Sequence, residues 1–226
     1  MSTVLKPAPG KPSPVRQRFG AETAARLDAN PSVKRVKAEG VQAYYHLDFV
    51  TPGERAQLIR LIDSNRRPST LLSASTDPYF RTSESCDMDR FSPLVRPIDE
   101  RIADLLGIDL PNGETMQGQR YAPGQHFRAH HDYFHEDQPY WKQMQAEGGQ
   151  RTWTAMIFLS PVEEGGATWF PQAGMKVPPR PGMLLTWNNM KPDGSPNPLT
   201  LHEGMAVTRG TKYIITKWFR ERPWFT

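Results

Sequence analysis

One cysteine, Cys86, stands in a chain of 226 residues. That excludes an internal disulfide framework and a zinc cage built of thiolates, and the expectation for Cys86 is a small, unreactive side chain. No apolar run approaches the roughly 20 residues a bilayer-spanning helix needs, so no membrane partner is expected. Lys6 and Lys11 near the start have no apolar stretch behind them, which leaves no classical secretory signal. With a single cysteine, this points to a reducing, cytoplasmic setting. Aromatics are not scarce. Ten Phe, seven Tyr and six Trp exclude wholesale disorder, and the length suits one domain with a short appendage.

The net charge of +4 is unevenly placed. Residues 1–40 carry eight Lys or Arg against three Asp or Glu, so the remaining residues sum to −1. A basic tail can bind nucleic acid, but residues 1–40 show no interleaving of aromatic and basic residues, and no nucleic-acid partner is expected. Residues 1–20 hold Pro7, Pro9, Pro12 and Pro14, four basic residues and no acid. They read as a flexible or polyproline-like arm, ahead of a single domain over 21–226.

Helix signals come first. Ala24, Ala25 and Leu27 suggest a short helix broken near Pro31, and VQAYYHLDFV over 41–50 has strand composition. Thr51-Pro52-Gly53-Glu54 is a capping box with proline at the first helical position, opening a helix that ends before Pro68. Ser92-Pro93 predicts the start of another, with Val95, Ile98, Ile102, Leu105 and Leu106 at three- and four-residue spacing. From about residue 115 short strand-like runs follow one another: MQGQRY, TWTAMIFLS, ATWF, MLLTW and KYIITKWF. Serial strands with turn punctuation imply an antiparallel sandwich, jelly roll or barrel. Two long polar loops, 134–150 and 188–200, interrupt it.

Four of the six histidines, His126, His130, His131 and His135, fall within ten residues beside Asp132. On a strand, i and i+2 share a face, so His130 and Asp132 point together and His131 away. One more histidine from a distant strand completes the two-His, one-carboxylate set of non-haem Fe(II) oxygenases, and His202 is the only histidine downstream. On spacing alone a zinc hydrolase site or a histidine-rich surface loop stays equally open.

The flanking residues add a resemblance. Tyr121-x-x-Gly124-Gln125-x-Phe127-x-x-His130-x-Asp132, then Gly148-Gly149-Gln150-Arg151 with MIFLSPVEEGGATWFP, then Pro181-Gly182-Met183-Leu184-Leu185, then His202-x-Gly204-x-Ala206-Val207-x-x-Gly210-x-Lys212 followed by Trp218, resemble in order the motifs of the Fe(II)/2-oxoglutarate-dependent dioxygenases of the prolyl 4-hydroxylase type. Arg81-Thr82-Ser83 is similar to a segment before that family's core. Phe127 stands where many members have tyrosine, and Ala206 where proline is usual.

The resemblance covers the chain from about residue 41. It implies a mostly β fold with flanking helices: a double-stranded β-helix (jelly-roll) core, the iron-binding part at about 115–222, with the N-terminal helices packed on it. It implies Fe(II) on His130, Asp132 and His202. The far carboxylate of 2-oxoglutarate falls to Lys212, Tyr121 and Thr168, and a peptide groove to Arg151, Arg81 and Trp218. His126, His131 and His135 fall outside the ligand set. The implied reaction is hydroxylation of prolyl residues in a proline-containing peptide or protein, at the 4-position, consuming 2-oxoglutarate and O2, releasing succinate and CO2, with ascorbate as reductant. The alternatives are a hydroxylase of a free amino acid or other small molecule, and a non-catalytic jelly-roll binding protein. The loops at 70–90 and 134–150 are expected to cover the iron and move.

Overall fold

The computed structural model describes residues 10–71, 77 and 79–225. In chain order the elements are α1 (Pro14–Ala29), β1 (Val33–Arg35), β2 (Ala43–His46), α2 (Pro52–Asn65), β3 (Arg67–Pro68), β4 (Glu84–Asp87), α3 (Arg96–Leu106), β5 (Gln117–Tyr121), β6 (Phe127–His130), α4 (Trp141–Ala146), β7 (Arg151–Phe158), β8 (Glu164–Gly165), β9 (Thr168–Phe170), β10 (Met175–Val177), β11 (Leu184–Asn188), β12 (His202–Gly204), β13 (Val207–Arg209) and β14 (Lys212–Arg220). An eight-stranded sheet runs β1-β2-β11-β7-β14-β5-β4-β3. A four-stranded sheet runs β10-β9-β12-β6, and β13 pairs with β8. The named ladders are antiparallel.

Strand parity sorts the large sheet into two faces. On β7, Trp153, Ala155 and Ile157 join the core beneath the helices with Leu27, Leu58, Ile62, Ile98, Ile102 and Leu106. Met156 and Phe158 turn the other way and close on Phe170, Met175 and Val207 from the smaller sheets. On β14, Ile215 and Phe219 face the helices and Ile214 the interior. Both faces of β7, β11 and β14 are therefore buried, which is why these stretches read as near-continuous apolar runs. Gly118 on β5 lets α2 lie close, since a Cβ there would sit 2.5 Å from Ile62 Cγ1.

Three expectations change. Residues 1–9 of the expected arm lie outside the described residues. From Pro14 the chain is helix, not arm: the Ser13 side chain accepts from Arg16 N, and Arg16, Gly20, Thr23, Ala24 and Leu27 form its buried stripe. α3 starts at Arg96 rather than at Ser92-Pro93, because 92–95 form a turn in which Val95 N donates to Ser92 O. The 134–150 stretch contains α4, anchored by buried Met144. Of the expected mobile 70–90 loop, residues 72–76 and 78 lie outside the described residues. The capping box at Thr51 and Glu54 forms as read.

Candidate metal centre and groove

β6 and β12 lie side by side in the four-stranded sheet, with His130 and His202 as register partners. Their rings are 4.4 Å apart. Asp132 sits two residues past the end of β6, in a bend rather than a strand, so its approach is set by the turn and not by strand parity. Its Oδ1 lies 3.8 Å from His130 Nε2, and its Oδ2 lies 3.9 Å from His202 Nε2. One ligand atom from each residue falls within 4.8 Å of the others, and among the described residues this is the only such group of three.

The imidazoles are held from behind. His130 Nδ1 is 2.8 Å from Arg128 O, and His202 Nδ1 is 3.0 Å from Thr200 O. A carbonyl partner places the proton on Nδ1 and leaves Nε2 with a free lone pair. Phe127 stacks on His130 at 3.6 Å and Phe170 on His202 at 4.9 Å. Burial, with His202 next in weight, pushes His130 down to about 3, so it is neutral at pH 7. Burial works to raise the Asp132 carboxyl, but His202, His130, Arg151 and the Thr154 hydrogen bond outweigh it and hold it below its ordinary value. Two imidazole nitrogens and one carboxylate oxygen, facing one another, suit Fe(II).

A narrow recess of about 40 Å³ continues inward from the triad, lined by Tyr121, Thr168 and Lys212 among others. Lys212 is buried, and burial alone pushes its ammonium down to about 7. Its nitrogen lies 5.3 Å from the Tyr121 ring and 5.7 Å from the Phe158 ring. Among the described residues no carboxylate pairs with it. The Tyr121 hydroxyl donates to Gln119 Oε1 at 2.7 Å, and the buried Thr168 Oγ1 has no partner among the described residues. A buried amine and an unpartnered hydroxyl lining one recess favour an anionic ligand, so the residues fit a dicarboxylate whose other end reaches the metal.

Outward, a groove of about 910 Å³ takes in Arg81, Arg151 and Trp218. It shares Phe127, His130, Asp132 and Trp218 with the recess. Arg151 grips Glu114 with two hydrogen bonds, 2.6 and 2.8 Å, and lies 4.2 Å over the Trp218 ring. Arg220 adds a third contact to Glu114 at 2.5 Å. Arg81 covers Phe127 at 4.7 Å and donates to Gln117 Oε1.

All nine residues expected from the sequence thus meet around one centre. His126, His131 and His135 stay out of the triad. His126 Nε2 is 2.9 Å from Tyr79 O and His131 Nε2 is 3.1 Å from Pro198 O, while His131 and His135 line the groove. Sequence reasoning missed Glu114, Thr154 and Asn189. Thr154 had a signal, a polar residue at an inward position of an apolar strand. Glu114 had none, because both its arginines are distant in sequence.

Residues 116–220 match the family described as the 2OG-Fe(II) oxygenase superfamily. The Arabidopsis thaliana protein named Probable prolyl 4-hydroxylase 10 is 34% identical over 83% of this chain and 71% of its own. Prolyl 4-hydroxylase 2 of the same plant is 31% identical over 84% and 70%. Among solved structures, the viral collagen prolyl hydroxylase of Paramecium Bursaria Chlorella virus-1, in complex with 2OG, superposes with a TM-score of 0.63 at 25% identity, covering 86% of this chain and 98% of that one.

Proposed function

Because the chain belongs to the 2OG-Fe(II) oxygenase superfamily, a family of dioxygenases that use Fe(II), 2-oxoglutarate and O2, we propose that it hydroxylates prolyl residues, at the 4-position, in a proline-containing peptide or protein. His130, Asp132 and His202 hold the iron. Lys212, with the Tyr121 and Thr168 hydroxyls, holds the far carboxylate of 2-oxoglutarate. The recess is narrow, and Gln119 and Met156 also line it. Arg151, Arg81 and Trp218 hold the peptide. The bound iron with O2 and 2-oxoglutarate supplies the oxidation: one oxygen atom enters a substrate C–H bond and the other enters succinate, with loss of CO2. Ascorbate serves as reductant.

The observation that carries this reading is the shared wall. A recess ending at an unpaired buried cation and an open, aromatic-lined groove meet at the same His–Asp–His cluster. The cation selects a dicarboxylate. The groove's aromatic surface, which includes Tyr133, Phe134, Tyr140 and Trp224, suits the stiff polyproline conformation. Stacking on Phe127 and Phe170 fixes the planes of the two imidazole rings.

Incubation with Fe(II), 2-oxoglutarate and ascorbate, followed by mass spectrometry of proline-rich peptides and of free proline, tests it. Gain of one oxygen on a peptide proline, matched by succinate, is expected. Turnover of free proline with every peptide untouched overturns the peptide substrate.

A further inference from the structure

Asp132 accepts a hydrogen bond of 2.8 Å at Oδ2 from the Thr154 hydroxyl. Thr154 Oγ1 in turn accepts from Asn189 Nδ2 at 2.9 Å, and Asn189 Oδ1 accepts from Trp187 Nε1 at 3.0 Å. Thr154, Asn189 and Trp187 are all buried to 1% exposure or less. Thr154 and Trp187 are register partners across β7 and β11, so the chain of bonds is built on the large sheet while the histidines come from the small one.

We propose that Thr154 is a positioning residue that makes Asp132 a one-oxygen ligand, and that Asn189 and Trp187 set the direction in which its hydroxyl donates. The proposal rests on the reading of the triad as the metal site. The donor inventory fixes every proton. An indole only donates, so Asn189 presents its oxygen to Trp187 and its NH2 to Thr154. That NH2 takes a lone pair of the hydroxyl, and the single hydroxyl proton is left for the carboxylate, which only accepts. With these side chains buried, the order runs one way, from Trp187 to Asp132. Oδ2 is thereby engaged, and among the described residues no donor reaches Oδ1. An octahedral ion held by three protein atoms keeps three open positions. A carboxylate gripping with both oxygens would take one of them, and a keto acid with O2 needs all three. The same indole lies edge-on to His202 at 5.0 Å, so one side chain steadies two ligands.

Thr154→Val keeps the shape and loses the hydroxyl; Thr154→Ser keeps the hydroxyl; Trp187→Phe keeps a ring against His202 and frees the Asn189 amide to turn over. Co(II), stable in air, is the probe. Its affinity and visible absorption are measured first, and then the affinity of the loaded protein for 2-oxoglutarate. Thr154→Val should weaken Co(II) or 2-oxoglutarate binding tenfold or more and change the absorption. Serine should restore both within twofold, and Trp187→Phe should fall between. Valine within twofold of wild type in both affinities, with the same spectrum, overturns the proposal. If circular dichroism shows the valine variant unfolded, Trp187→Phe decides, and wild-type affinities and spectrum there overturn it. A wild-type protein that binds no Co(II) fails the metal-site reading itself.

Discussion

Lys212 stands directly across the β14–β5 ladder from Tyr121, its ammonium 5.3 Å from the centre of that ring. Even-numbered positions of β14 face the interior, so the same parity that sends Ile214 into the inner core sends Lys212 there. Without a partner the side chain is held near neutrality at about 7, against an ordinary 10.5.

That position has a pH signature. Between about 7 and 10.5 the unfolded chain binds this proton and the empty folded protein does not, so the stability contribution of Lys212 rises with pH across the window. Binding a carboxylate reverses the preference, because the charged form is then favoured. Affinity for 2-oxoglutarate should therefore fall above pH 7, by up to about tenfold per pH unit, with one proton taken up on binding. Titration calorimetry in buffers of different ionisation heat measures both. Lys212→Ala should raise the KM for 2-oxoglutarate at least tenfold, a charge-assisted hydrogen bond being worth ~1.5–3 kcal/mol. An unchanged KM removes Lys212 from the site.

His202→Ala should lose metal affinity and turnover together. The histidines that crowd its partner offer no replacement, since His131 and His135 point into the groove beside Tyr133. Calorimetric titration with Fe(II) under anaerobic conditions reads the effect. Wild-type affinity in the variant would assign the third ligand elsewhere.

Much of this was legible beforehand, for identifiable reasons. Strands β7, β11 and β14 show as apolar runs because both of their faces are buried. The Thr51 cap and the stripe of Ile98, Ile102 and Leu106 are local chemistry. The second half of α1 was legible from Ala24, Ala25 and Leu27, but its first turns were not, because the residues they bury are Arg16 and Gly20. Arg16 goes inside because Gly194 O and Glu136, from remote segments, receive its guanidinium together with the nearby Lys11 O. In the site, the His130 and His202 pairing was open to inference from spacing and family resemblance. Asp132 reached the right place by the wrong route, since β6 stops before it. The Thr154 and Glu114 contacts depend on pairings between distant strands, which no local pattern encodes.

On the other face of the same strand, Lys217 Nζ is 2.6 Å from Asp99 Oδ1 on α3, both side chains almost wholly buried. Removing one partner strands a charge, at about 3–5 kcal/mol. Asp99→Ala should therefore lower stability by that amount in urea denaturation. Replacing both together, Asp99→Leu with Lys217→Met, should recover most or all of it. A double variant as unstable as the single one would show that the pair, not the burial, holds α3 to the sheet.

Glu114 links stability to the groove. Burial works to raise its carboxyl, but the charges and hydrogen bonds of Arg151 and Arg220 outweigh it and hold it below its ordinary value. A depressed carboxylate contributes stability that is fully present above its unfolded value. That contribution is lost as pH falls through the folded one, so acid should loosen this cluster below the usual glutamate range. The consequence reaches substrate because Arg151 is held in two directions at once, by Glu114 on one side and by stacking on Trp218 on the other. Glu114→Gln keeps the shape and removes the charge that fixes the guanidinium. It should raise the KM for a proline-rich peptide several-fold while leaving the KM for 2-oxoglutarate unchanged, since Lys212 lies in the recess and not in the groove. It should also remove part of the acid-induced loss of stability, read as a smaller fall in the unfolding midpoint between pH 7 and pH 4. Equal rises in both KM values would mean that Glu114 supports the whole barrel rather than the peptide arginine.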